Sequence, residues 1–305
     1  MRRQAGRGRA GRRQKTVTVG FSQIGAESAW RTANTQSVKD EAAKRGIKLV
    51  FSDAQQKQEN QIKALRSFIA QGVDVIAFSP VVETGWEPVL KEIKQAGIPV
   101  VLSDRAVDVS DESLYVTFIG SDFVEEGRRA ATWLAEKTGG KAVIAELVGT
   151  PGSAPAIDRK KGFEEVLAKH PEMKIIKSQS GDFTRAKGKE VMEAFLKSPE
   201  AAQITALFAH NDDMALGAIQ AIEEAGRKPG QDIVIVSIDG VKGAFEAMAA
   251  GKLNCTVECN PLIGPQIFDA VARIKAGEKL ERRINVNEGV YDQSKAAAAL
   301  PTRQY

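Results

Sequence analysis

Six short apolar runs in this chain are each followed at once by side chains able to form directional polar contacts. Glu27, Ser28, Trp30 and Arg31 follow the first, and Asp104-Arg105 stands directly behind "IPVVLS". Arg159 closes "GTPGSAPAIDR", Asn211 lies in "HNDD", Asp239 in "SIDG" and Glu258 in "KLNCTVECNP". Carboxylates, an amide and guanidinium forks make charge-assisted hydrogen bonds to groups that donate and accept at once, as hydroxyls do. An aromatic plate such as Trp30 complements the bare C–H face of a ring. Together these types suit a polyhydroxylated ligand. Trp30 and Arg31 come too early in their helix for core packing and are expected to face a cleft.

Each residue also has a plainer reading. Asp104-Arg105 reads equally as a local ion pair, worth about 0–1 kcal/mol if exposed. Arg159 precedes Lys160-Lys161 and would fit a solvated basic helix face. Asn211 or Asp212 is placed to cap the helix that follows, and Asp239-Gly240 is a common turn pair. Trp86 and Trp133 sit on helical patterns and read as packing residues, Phe21 as the core end of its strand, and residues 53–61 as surface.

The same residues also bear on catalysis. His210 beside Asn211 could act as a base, and Asp104, Asp239 and Glu258 could supply a carboxylate pair for a hydrolase or isomerase. The chain has no G-x-S-x-G elbow and no P-loop. Gly6-x-Gly8-x-x-Gly11 matches a dinucleotide fingerprint, but neither a strand precedes it nor a helix follows it. No enzyme, cofactor or metal is expected.

The elements that must position the polar set are legible from periodicity. Strands are expected at Val17–Phe21, Ile47–Ser52, Val73–Ser79, Ile98–Ser103 and Val116–Gly120, then at Ala142–Val148, Ile175–Gln179, Ala206–His210 and Ile233–Ile238. Helical spacing lies between them, as at Ile62, Leu65 and Ile69, and Gly46, Gly72, Gly97 and Gly226 are placed to close helices. Runs such as "VDVIAFSP" and "IVIVSIDG" are apolar almost throughout, as in strands buried on both faces of a parallel sheet. In such sheets ligands bind outside the carboxyl ends of the strands, where the polar residues stand. Two α/β lobes are expected, each a doubly wound parallel sheet, joined by hinge strands. Residues 16–120 plus about 259–284 would form the N-terminal lobe, and 121–258 plus about 285–305 the C-terminal lobe.

The 305 residues are 43% hydrophobic and 27% charged, an ordinary globular composition. The formal charge of +4 belongs to the first fifteen residues, which hold seven Arg or Lys and no acid, leaving the rest at −3. A slightly acidic body argues against nucleic-acid binding. The tail "MRRQAGRGRAGRRQK" is expected to be a disordered extension. It lacks the apolar stretch of a secretory signal, so an export signal would lie upstream of Met1 or be encoded from a different start. Cys255 and Cys259, four residues apart on an extended segment, are about 13 Å from each other and too far for a disulfide. His170 and His210 lie far from them in sequence, which argues against a structural zinc site.

With these residues in view, the chain resembles the periplasmic sugar-binding proteins of the ribose-binding type, and within them the galactofuranose-binding members. The resemblance is carried by "TVGFSQ", "ES-x-WR", "QQKQENQIKA-x-RSF-x-AQGVD", "PVVETGWEPVLKE", "AIDRKKGF", "SGDFTR-x-KGKEVME", "AHNDDM", "GAIQAI" and "SIDGV", from about residue 17 to 265. It implies a type I periplasmic binding protein, monomeric, capturing a monosaccharide in the inter-lobe cleft for the permease of an ABC transporter. It implies ligand contacts at Glu27, Ser28, Ala29, Trp30, Arg31, Asp104, Arg105, Arg159, Asn211, Asp239 and Glu258. Ala29 stands where the family has glycine, and the segment around Cys259 and Asn260 also departs. The effector half of a lac-repressor-type regulator shares the fold but needs a DNA-binding headpiece of roughly 60 residues. Fifteen precede the first strand here.

Overall fold

A computed structural model of the protein describes residues 16–305, and the expectation of a disordered tail over residues 1–15 lies outside them. The first series runs β1 (Thr18–Gln23), α1 (Ala29–Lys44), β2 (Lys48–Asp53), α2 (Gln58–Gln71), β3 (Val75–Phe78), α3 (Glu87–Gln95), β4 (Val100–Ser103) and β5 (Thr117–Gly120). The second runs α4 (Phe123–Thr138), β6 (Ala142–Val148), α5 (Ala154–Leu167), β7 (Met173–Ser180), α6 (Arg185–Leu196), β8 (Ala206–Ala209), α7 (Asp212–Glu224), β9 (Val234–Asp239), α8 (Lys242–Ala249) and β10 (Cys255–Glu258). Then come α9 (Gly264–Lys275), β11 (Arg283–Asn285), β12 (Val290–Asp292) and α10 (Gln293–Ala299).

The strands form two six-stranded sheets, in the orders β11-β5-β4-β3-β1-β2 and β12-β10-β9-β8-β6-β7. Pairing is parallel except between β10 and β12. Each sheet is buried on both faces, and the two-residue period of a strand sorts its side chains between them. Val75 and Ala77 of β3 join a cluster with Val38 and Phe268, beneath α1 and α9. Ile76 and Phe78 join Leu65, Trp86 and Leu90 beneath α2 and α3. Trp86 is therefore core, one of the two placements its helical spacing left open.

The chain passes between the sheets three times: after β5, after β10, and between β11 and β12. Sequence reasoning did not find β11, β12 or α10. The two strands have three residues each, too short for an alternating pattern to register.

One helix contact in the second lobe bears directly on the site. A Cβ on Gly127 of α4 would collide with the carbonyl of Arg159, and a Cβ on Gly162 of α5 with that of Val124. Reciprocal glycines let the two backbones touch. That approach brings the Arg159 guanidinium against Glu126, with Nε 2.8 Å from Oε2.

Candidate functional site

The carboxyl ends of both sheets meet across a small cavity. The first lobe lines it with Glu27, Ser28, Trp30, Arg31, Asp104 and Arg105, and the second with Phe123, Pro155, Arg159, Phe183, Asn211 and Asp239. Cys259 of the second crossing completes the wall. Three of these residues, Asp104 (φ 66), Phe183 (φ 62) and Asp239 (φ 137), are non-glycine residues with positive φ. Such conformations persist where the surroundings over-determine them, typically at ligand sites.

Ser28 caps α1, its hydroxyl accepting from Arg31 N at 3.1 Å, and so starts the helix that carries Trp30 and Arg31. The Arg31 guanidinium lies 2.7 Å from Asp104 and 3.1 Å from Glu27. Burial works against its charge, but these two carboxylates more than offset that, and its pKa is raised. Arg105 is differently placed. Burial, followed by the repulsion of Arg31, pulls its pKa down to about 10. Its Nη1 donates to Val81 O at 3.0 Å, while Nε makes no hydrogen bond; Glu27 Oε2 likewise has no partner.

Trp30 lies closer to a core residue than its position in the helix suggests. It is 4% exposed and belongs to the apolar cluster of the second lobe. Its Nε1 donates to Cys259 O at 2.5 Å, and the Arg31 guanidinium lies 4.6 Å from its ring centroid. Beside it, Ala29 N donates to Asp213 of α7 at 2.9 Å. The Ala29 side chain is exposed and does not line the cavity. Together with Glu83 N on Gly152 O at 2.9 Å, these bonds hold the lobes face to face.

On the other wall Arg159 is buried, not solvated. It donates to Glu126 and to His210 O at 2.8 Å each and lies 3.7 Å from Asp239. Burial opposes its charge, yet Glu126 and the neighbouring acids raise its pKa. Asp239 is pushed well up by burial, with Arg159 only partly compensating. Asn211 caps α7 by accepting from Met214 N at 3.0 Å, and its amide donates to Phe183 O at 3.0 Å.

Glu258 stands apart from the cavity lining. Its carboxylate accepts from Arg303 at 2.9 Å and from Gly289 N at 3.0 Å. Cys255 and Val257 of β10 lie in the apolar cluster of the second lobe, as does Cys259 just past the strand, which lines the cleft. Sequence reasoning missed Cys259 together with Phe123, Pro155 and Phe183. Strand alternation would have pointed to Cys259; the other three carry no polar signal.

The residues weighed for catalysis lie elsewhere or are tied down. His210 is fully buried with Nε2 3.0 Å from Glu146, and its pKa is lowered by burial. Asp104 and Asp239 are each engaged by an arginine. The Cys259 thiol is pushed well up by burial and by Glu126 and Glu288, leaving it protonated and a poor nucleophile. Among the described residues Glu126, Cys259 and Glu288 bring potential ligating atoms within 4.8 Å of one another, a grouping the sequence did not suggest.

Two α/β lobes around a small, charged cleft define a solute-binding protein. The chain belongs to the periplasmic binding protein domain family, whose profile matches residues 19–279. It is 54% identical to the galactofuranose-binding protein YtfQ of Escherichia coli K12, over 89% of this chain and 86% of that one. A structure of the arabinose-transporter binding protein of Shewanella sp. ANA-3, bound to α- and β-L-arabinofuranose, superposes with a TM-score of 0.92 at 57% identity. The match covers 94% of this chain and 96% of that one. A Mycobacterium smegmatis protein in complex with β-D-fucofuranose gives 0.92 at 56% identity, covering 95% and 96%. This is a family of binding proteins rather than enzymes.

Proposed function

We propose that the protein is an extracytoplasmic receptor that binds a monosaccharide in its furanose form between the lobes and delivers it to an ABC transporter permease. The observation that carries this reading is the pair of unsatisfied groups in the cavity: Glu27 Oε2, an acceptor, and Arg105 Nε, a donor. Buried polar atoms are normally paired. A neutral hydroxyl-bearing ring satisfies both at once, which a purely anionic or cationic ligand does not. Relatives that bind galactofuranose, arabinofuranose and fucofuranose support a furanose, with galactofuranose the first ligand to try.

In this reading Glu27, Ser28, Trp30, Arg31, Asp104 and Arg105 form one jaw, and Arg159, Asn211 and Asp239 the other. Residues 16–120 with about 259–284 act as one rigid lobe, and 121–258 with about 285–305 as the second. Closure is driven by the ligand's differential affinity for the closed form and can be no larger than that difference. The closed face is what the permease reads. The receptor works as a monomer, outside the cytoplasmic membrane, without nucleic acid. Titration calorimetry against galactofuranose, arabinose, fucose, ribose and galactose tests the core of this. One sugar bound without turnover is expected; no binding to any of them, or chemical conversion of one, overturns it.

A further inference from the structure

The turn that presents Asp239 is gripped from two sides. Asp239 ends β9 at φ 137, and Gly240 follows at φ 80. From beneath, Asp212 accepts from Gly240 N at 2.7 Å and Val241 N at 2.9 Å. From above comes a residue 63 positions further along the chain. Arg303 places Nε 3.1 Å and Nη2 2.6 Å from Gly240 O, so two donors converge on one carbonyl. Its Nη1 reaches Glu258 at 2.9 Å, the residue before the cavity-lining Cys259.

Arg303 is itself fixed. Its side chain is 9% exposed, and the guanidinium lies 4.6 Å from the Phe245 ring centroid, 4.7 Å from Tyr305 and 5.4 Å from Tyr291. Tyr305 Oη lies 2.6 Å from Nη2, and Tyr305 O accepts from Lys242 N at 2.5 Å. A Cβ on Gly240 would stand 2.9 Å from Arg303 Nη2, so the glycine answers both to its φ and to this contact. Residues 300–305 lie beyond the span of the family profile, which stops at 279.

We infer that Arg303 is a positioning residue for ligand binding: it pre-sets the Asp239–Gly240 turn, and through Glu258 the strand leading to Cys259, in the geometry the sugar requires. This rests on the receptor reading above. A residue in a sparsely populated conformation keeps its aim only while its neighbours hold it there, and a pre-set site spares the ligand the cost of ordering it. A planar fork can serve a carbonyl and a carboxylate together, whereas a lysine ammonium on its flexible stem cannot reproduce that geometry.

The test compares the whole protein with its Arg303→Ala, Arg303→Lys and Glu258→Gln variants against the best sugar of the panel. Arg303→Ala is expected to weaken binding about tenfold, mainly through faster dissociation. Arg303→Lys, which preserves charge, should recover only a minor part. Should Arg303→Ala fail to fold, Arg303→Lys carries the same test. Glu258→Gln keeps both bonds to Gly240 and is expected to cost less than Arg303→Lys, and Gln304→Ala nothing. In the sugar-free variants, amide exchange should accelerate at Gly240 and Val241 while the strand amides of β8 and β9 stay protected. Full recovery by lysine, or unchanged affinity in the Arg303 variants, overturns the inference while leaving the receptor reading intact. Wild-type protein that binds no sugar overturns the receptor reading and this inference with it.

Discussion

The Arg31 guanidinium donates to the Asp104 carboxylate at 2.7 Å, and the side chains are 3% and 5% exposed. This bond ties the first turn of α1 to the exit of β4, where Asp104 sits at φ 66. It also decides which donors and acceptors remain for a ligand. Asp104 Oδ2 bonds Arg31 and lies 3.8 Å from Arg105 Nε, which makes no hydrogen bond.

Replacing Asp104 by Ala leaves two guanidinium groups facing each other in a buried cleft. Breaking a buried pair from one side costs about 3–5 kcal/mol, so both folding stability and sugar affinity should collapse. Urea unfolding and calorimetry read the two losses separately. An affinity within threefold of wild type would show that the pair is dispensable.

Trp30 joins the lobes as well as lining the cavity. Trp30→Ala removes a buried indole at about 3–5 kcal/mol, much of it lost from the closed state, because its neighbours belong to the second lobe. Trp30→Phe keeps the plate and loses the bond to Cys259 O, worth about 1 kcal/mol. Small-angle scattering of wild type should show compaction on adding sugar, and the Ala variant a much smaller change. Equal compaction in both would place Trp30 outside the closing mechanism.

The glycine contact between α4 and α5 sets where Arg159 stands. Gly162→Ala must push the helices apart, at a cost of about 1–3 kcal/mol or more, and carries Arg159 away from Asp239. Sugar affinity should therefore fall although residue 162 does not line the cavity. Retained affinity with lowered stability would mean that Arg159 reaches its partners regardless of helix spacing.

Stability should fall on the alkaline side. Burial, followed by the charge of Glu126, pushes Glu288 up to about 8, and burial pushes Asp212 up to about 6 against its hydrogen bonds. Between the ordinary value of 4.5 and about 8, the folded chain holds a proton on Glu288 that the unfolded chain has released, so stability drops as pH rises through that window. Glu146 runs the other way. Burial opposes its charge, but His210, Lys160 and Ser178 hold it down to about 2, and its contribution is lost as pH falls from 4.5. Urea midpoints should be higher near pH ~5 than near pH ~8, and Glu288→Gln should flatten the slope above about pH 6. An undiminished slope in that variant assigns the effect to another group.

The sequence by itself determined the elements through α9, though not β11, β12 or α10, and most of the polar set at the strand ends. Continuous apolar runs such as "VDVIAFSP" can only be strands covered on both faces, and parallel sheets present their carboxyl ends to one side. That reasoning named Glu27, Trp30, Arg31, Asp104, Arg105, Arg159, Asn211 and Asp239, all of which line one cavity. The tertiary structure decided what local pattern cannot encode. Although Glu258 lies in register with Asp239, Arg303 and Gly289 N hold its carboxylate away from the cavity, and Cys259, just past the strand, stands at the wall instead. Phe123 and Phe183 carry no polar signal, and they line the cavity only where the two lobes meet. Arg303 is one more basic residue in sequence, and its hold on Gly240 exists only because the chain returns across the second sheet. Contacts between segments sixty residues apart depend on the sum of all packing in between, and no short stretch of sequence contains that sum.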